Sequence, residues 1–494
     1  MSGAQNADGS LLIARRKALW PLLAVTAAFG ISRIGYHVAG VRFDASSLPW
    51  FWQFIDPALL KANLWQSLWY LHSQPPMFNL FLGIVLNLFP GHESAAFAVC
   101  YLLFGLIFAV TLFLLLRGFG ASDVLSAVAA AVYVASPTVV LYENWLFYAY
   151  PVTVLLLLAA LFWQRFVQGG RFRDALLVFV CAASLALTWS LFHVVWLLAL
   201  AFALVLVRRQ DWRKVLAAGA VPVLIVGSWY GKNLVQFGQF TGSTWFGMNF
   251  SRMTNNALTK QERQALYYNG AVSAVSFYQP FRIPATYYGA VAKPQPTGIP
   301  VLDQEIKPSG SPNFNNAVFI AVSRQFGDDA LRILGAYPAA YLRSLLESYL
   351  LAFQPASVNP YLDANIAYIS GLVRIESMAV DGRFGHRTAS ETEPLRNWLH
   401  RVTAVGWFLI LAYAFVLVVA LILLFRPSSL LPSLSSLFFL WFNVAWMTFV
   451  SNALEVSENN RFRFTTDPLV LTCLVAVTAA CVEGLSSRRR SARA

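Results

Sequence analysis

Charge is scarce in this sequence. Of its 494 residues only 12% are Asp, Glu, Lys or Arg, against about 25% in a soluble protein. Hydrophobic residues make up 58%. An ordinary soluble chain is excluded. Cysteine is scarce too: Cys100, Cys181, Cys473 and Cys481 are the four, all in apolar runs and none with metal-ligand spacing. They read as small core residues, and a disulfide framework is excluded. No Walker loop, GxGxxG followed by an acid, HExxH or Gly-x-Ser-x-Gly occurs, so soluble nucleotide and protease chemistry has no support. No internal repeat of the kind that builds many secondary transporters is found. No small-residue cleavage site follows the run after Arg15, Arg16 and Lys17, and no cleavable signal is expected.

What the sequence does contain is apolar runs long enough to cross a bilayer core, each roughly 17–25 residues. They fall at 18–39, 95–117, 123–141, 149–167, 174–190, 191–207, 214–231, 402–425, 430–450 and 467–484. The expected fold class is an all-α polytopic membrane protein. Net charge is +13, and its distribution orients the spans. With the N-terminus inside and 75–89 not crossing, Arg117, Arg165, Arg171, Arg173, Arg208, Arg209, Arg213, Lys214, Arg426 and the tail Arg488–Arg490 all lie on one side. That retention of basic residues accounts for the surplus without nucleic acid. If 75–89 crossed, every later cluster would invert.

The stretch "YLHSQPPMFN" (70–79) therefore predicts an interfacial helix that starts at Pro75, where the missing N–H costs nothing. A single helix over 174–207 would be about 51 Å long, so a hairpin with its turn at Trp189–His193 is expected. Pro338–Phe353 reads as an amphipathic interfacial helix. The predicted organisation is a cytoplasmic tail 1–17, a membrane core 18–231 with first outer loop 40–94, a large outer region 232–400, C-terminal spans 401–484 and a basic tail 485–494.

Ionisable residues gather at the predicted outer face. Asp44 in "GVRFDASS" is the first acid after the first span, where reduced dielectric suits a general base. Its alternative is a solvated loop residue. Asp56, followed by Pro57, reads as a helix N-cap. Glu143 in "LYENWLFYAYP" is either a second acid opposite Asp44 or part of an interfacial aromatic belt with Tyr142, Trp145 and Tyr148. Arg461 and Arg463 in "SENNRFRFTTDP" suit a phosphate, or ion pairs with Glu455 and Glu458. Lys232, His72 and His193 come out at the same face.

This pattern resembles the GT-C superfamily of membrane glycosyltransferases, among them the protein O-mannosyltransferases and the lipid A aminoarabinose transferase. The likeness rests on Asp44, on "HSQPPMFN", on "YENWLFYAYP", on "WYGKNLVQFGQFTGSTWFGMNF" (229–250) and on "NNRFRF" before the last span. It covers roughly 15–250, with two departures: Ala45 stands where the mannosyltransferases carry a second acid, and Lys232 where Arg is usual. The resemblance implies a GT-C-like bundle of about 10–12 spans in a bacterial inner membrane. It implies an inverting enzyme facing the periplasm, with a polyprenyl-phosphate sugar as donor and an envelope glycan, lipid or protein hydroxyl as acceptor. Asp44 would be the base, Glu143 its partner, and Lys232, Arg461 and Arg463 the phosphate-binding group. His72, His193, Tyr148 and Trp245 would line the cavity, and a divalent Mg or Mn on Asp44 and Glu143 is one outcome the resemblance allows. A transporter or flippase would need ionisable groups within its spans. An O-antigen polymerase or ligase would use outer-loop Arg and His.

Overall fold

A computed structural model describes residues 3–383, 404–425 and 434–491. Arg426 and His400 fall outside the described residues, as do the side chains of the N-terminal and C-terminal arginine clusters and of Cys481. The described chain is helical. No strand forms among its described residues, and the isolated bridges are Asp44–Trp145 and Ile306–Pro312.

Among the described residues four helices are long and apolar enough to cross a membrane: Glu93–Gly118, Ala149–Gly169, Arg209–Phe237 and Leu437–Leu454. A fifth is formed if Asp123–Val134 and Pro137–Glu143 count as one span bent by 60°. The bend has a local cause. Ser136 is extended and Pro137 opens the second helix, so the first cannot continue through it. The protein is thus a helical membrane protein. Met77–Leu88 has 12 residues and Val194–Val207 has 14, both short of a bilayer core.

The expected hairpin forms. Phe172–Thr188 and Val194–Val207 are joined by an irregular turn, and the first packs closely on Ala149–Gly169 and on Trp212–Phe237. Three basic turns meet at one end of this bundle. Gln168 Nε2 donates to Gly118 O at 3.4 Å, Arg208 Nη1 to Val167 O at 3.2 Å, and Lys214 Nζ to Gly170 O at 3.1 Å. Ion pairs Arg117–Asp123 and Arg208–Asp211 sit at the same end. The opposite end carries the turn 189–193 and the two large loops.

The loops are sewn together by side-chain amides and hydroxyls. Asn315 Oδ1 accepts the N–H groups of His72 (2.8 Å) and Ser73 (3.0 Å), and its Nδ2 donates to Tyr70 O (3.1 Å). Ser243 Oγ donates to Ser73 O at 2.5 Å. "YLHSQPP" is therefore a docking strip for the second loop, and its helix begins at Met77. Asp56 caps the Pro57–Ala62 helix through Ala58 N–H, as the Asp-Pro pair predicts.

Helices Phe246–Thr254 and Val318–Ala336 cross at Gly247 and Gly327. A Cβ on Gly247 would stand 1.7 Å from Ser323 O and 2.7 Å from Gly327 N, both backbone atoms that cannot step aside. Gly247→Ala is expected to lower stability by about 1–3 kcal/mol. Gly335→Ala, on the same Val318–Ala336 helix with nothing within 4 Å, should be neutral or stabilising. Thermal unfolding of the two variants side by side checks the contrast.

Candidate functional site

A cavity of about 800 Å³ opens at the loop end of the bundle, opposite the basic turns. Its wall is largely aromatic, with Trp52, Tyr148, Trp189, Trp245, Phe281 and Tyr361. Its charged groups are Arg252, Glu455, Glu458 and Arg461, joined by His193.

Arg461 is only 4% exposed. It belongs to the single turn Asn459–Phe464. Its Nε donates to Glu458 Oε2 at 2.5 Å, and its guanidinium carbon lies 4.6 Å from the Phe147 ring centre. Burial alone would lower its pKa, but Glu458 beside it carries the value above the ordinary one. Nη1 is buried and meets no hydrogen-bond partner among the described residues. Leaving a buried donor unpaired costs about 1–3 kcal/mol, more when charged. Arg461 lines the cavity, and an anion that reached this guanidinium would supply the missing acceptor.

Glu455 lines the same cavity. Its Oε1 accepts from Ser457 Oγ at 2.9 Å and stands 3.9 Å from Arg252 Nη1. Burial pushes its carboxyl above the usual range, with Arg252 opposing. This is the direction a general base requires. Sequence reasoning treated Glu455 and Glu458 only as ion-pair partners for the arginines. The signal that could have raised them was their spacing from Arg461 on one short turn.

The other expected cations are occupied elsewhere. Arg461 and Arg463 are two residues apart on a helical turn, so they diverge by about 200°. Arg463 points away, donating to Asp467 Oδ1 (2.7 Å), Ala352 O (2.7 Å) and Gln354 O (3.2 Å). Lys232 Nζ donates to the loop carbonyls Trp69 O (3.1 Å) and Leu71 O (2.7 Å) and lies 3.7 Å over the Trp229 ring. Of the three expected cations, Arg461 lines the cavity, and Lys232 and Arg463 do not.

The expected acids are displaced as well. Glu143 is 3% exposed and off the cavity, paired with Arg33 through Nε (2.9 Å) and Nη2 (2.5 Å) and bonded by Tyr150 Oη at 2.8 Å. Gly105 makes room for it, since a Cβ there would stand 2.2 Å from its Oε2. Asp44 Oδ1 accepts its own loop's Ser46 N–H at 2.8 Å, and the residue does not line the cavity. Both Glu143 oxygens are taken by Arg33, so the expected Asp44–Glu143 pair for a Mg or Mn ion does not form here. Among the described residues no group of three His, Cys, Asp or Glu side chains is placed to bind a metal.

His72 is fully buried beside the cavity rather than in its wall. Nδ1 meets Thr244 Oγ1 at 2.8 Å and Nε2 meets Asn315 O at 3.0 Å. A carbonyl can only accept, so Nε2 carries the proton. Burial, aided by Lys232, pushes His72 down to about 3. It is a neutral staple. His193, Tyr148 and Trp245 do line the cavity. His193 Nδ1 caps the next helix by accepting Val195 N–H at 3.2 Å.

Fold and site together define a helical membrane protein with an aromatic cavity lined by the ion-paired groups Arg461–Glu458 and Arg252–Glu455. No family model matches the chain, and no curated protein does.

Proposed function

We propose that this protein is an inverting glycosyltransferase that moves a sugar from a polyprenyl-phosphate donor to a hydroxyl acceptor in this cavity. The observation that carries the reading is Arg461, a buried guanidinium in a wall of aromatic rings whose Nε is held by Glu458 and whose Nη1 has no hydrogen-bond partner among the described residues. A lipid phosphate is an anion that such an atom can bind. Aromatic rings suit the apolar faces of a sugar and the first units of a prenyl chain. The three basic turns at the far end favour a cytoplasmic placement there, and this supports a cavity that faces the periplasm of a bacterial inner membrane. The GT-C likeness of the sequence motifs is the second support for this reading.

In the reaction, Glu455 takes the proton of the acceptor hydroxyl as its oxygen attacks the anomeric carbon from the face opposite the phosphate. The bond from that carbon to the phosphate oxygen breaks, and its electron pair leaves with the phosphate. Arg461 Nη1 donates to the oxygen on which charge develops. Glu458 holds the guanidinium in position. Configuration at the sugar inverts. No step runs through a metal. A transporter would use the Arg33–Glu143 pair as its intramembrane charge, but that pair is packed against Phe29 and Gly105 rather than facing a pathway.

A charge-assisted contact contributes about 1.5–3 kcal/mol. Arg461→Ala should therefore weaken prenyl-phosphate binding by roughly 10- to 150-fold, and Arg461→Lys should recover part of it. Titration of geranyl phosphate into the purified chain measures this. Equal affinity in parent and Arg461→Ala would remove the donor site.

A further inference from the structure

The transferase reading leaves the acceptor open between glycan, lipid and protein. One end of the cavity narrows that choice. Trp52 and Phe281 stack there with ring centres 5.5 Å apart and planes 19° from parallel. Trp52 is 40% exposed, so its face is available. Phe281 has φ +61, the one positive φ outside glycine among the described residues. A bulky residue holds that conformation only where its surroundings enforce it, and such strain gathers at functional sites. Here the enforcement is visible. The Phe281 ring meets Trp245 at 5.1 Å and Phe314 at 5.7 Å. Its neighbour Arg282 donates N–H to Tyr287 Oη at 3.1 Å, and that hydroxyl donates to Gln279 O at 2.7 Å.

Next to this platform, Gln53 lines the cavity with a buried amide oxygen that no donor reaches. Its backbone carbonyl is fixed by Asn79 Nδ2 at 3.0 Å. Arg252 ties the platform to the reacting groups, since its guanidinium carbon lies 5.9 Å from the Phe281 ring centre and its Nη1 3.9 Å from Glu455. The proposed base and the platform thus share Arg252 as a neighbour.

We propose that Trp52, Phe281 and Gln53 form an acceptor subsite for a carbohydrate ring. The inference rests on the transferase reading above. A pyranose presents C–H groups on its faces, which suit the electron-rich face of an aromatic ring, and hydroxyls at its edge, which need partners such as the Gln53 oxygen. The donor sugar is bonded directly to its phosphate and so sits at Arg461, against Phe147 and Tyr148. The platform is left for the acceptor. A peptide would be read through main-chain hydrogen bonds, whereas the platform offers ring faces with the Gln53 amide at its edge.

The test uses the full chain in lipid nanodiscs and saturation-transfer NMR. The probes are methyl glycosides of glucose, mannose and galactose, an N-acetylated Ala-Ser-Ala amide, and geranyl phosphate. At least one glycoside is expected to bind. Trp52→Ala and Gln53→Ala should each weaken it by roughly 3- to 10-fold, with Trp52→Phe in between, while geranyl phosphate affinity stays unchanged. No glycoside binding, glycoside binding indifferent to both alanine variants, or binding of the serine peptide at this wall instead would overturn the proposal. Trp52 is partly exposed and its loss should leave the fold intact; unchanged geranyl phosphate binding confirms that in each variant. A donor affinity indifferent to Arg461→Ala fails the transferase reading separately, because it is a different probe and a different residue.

Discussion

Glu455→Gln is expected to lower sugar transfer by about 10²- to 10⁴-fold, the usual contribution of a general base. Glutamine keeps the size of the side chain and its acceptor for Ser457 Oγ. What it loses is the site for the acceptor's proton. Prenyl-phosphate binding should persist, since Arg461 and Glu458 are untouched. A single-turnover assay beside a binding titration separates the two. Asp44→Asn should leave turnover near the parent value, because that carboxylate is engaged with Ser46 in its own loop. The opposite order, with Asp44→Asn inactive and Glu455→Gln active, would return the base to the first loop.

The pH profile follows from the same environment. Glu455 must be ionised to act, and burial raises its pKa. Turnover should therefore rise with pH through that raised value and fall on the acid side of it. The acid limb should lie above the ordinary glutamate value of about 4.3. In Glu455→Gln this limb should vanish from the residual rate.

Glu143→Gln should act on stability instead. It leaves the Arg33 guanidinium buried without its counter-charge, a loss of about 3–5 kcal/mol. The double variant Arg33→Met/Glu143→Leu should recover much of it, because no lone charge then remains. Denaturant unfolding of the two variants and the parent checks this. Folded Glu143→Gln protein should still transfer sugar. A variant that is stable but inactive would show that Glu143 is catalytic after all.

The helical frame was largely legible in the sequence, because apolar length and helix boundaries are local properties. The 174–207 hairpin followed from length alone, and the Asp56 cap from its neighbour Pro57. The number of spans was less legible. Ten apolar runs are present in the sequence; among the described residues four or five helices meet the length and composition of a crossing. The Pro137 break and the 14-residue helix at Val194 divide what hydropathy joins.

The site was legible where a residue's reach is local. His193 belongs to a turn, Tyr148 precedes a helix, and Arg461 stands on a short polar segment. It was illegible where pairing spans the chain. Nothing near Glu143 announces that Arg33, 110 positions earlier, takes both its oxygens. Nothing near Lys232 announces that the carbonyls of Trp69 and Leu71 will need its amino group. Counting cations on one membrane face gave three phosphate ligands. Helical geometry turns Arg463 away, and loop carbonyls occupy Lys232.

The most direct test of the account is an experimental structure of the full chain in nanodiscs with geranyl phosphate. The account predicts a phosphate oxygen about 2.7–2.9 Å from the Arg461 guanidinium, with the prenyl chain along Tyr148 and Trp189 rather than Trp52, and Glu455 on the far side of the phosphate-bearing carbon. A phosphate bound instead at Lys232, at Arg463 or outside the cavity would contradict it.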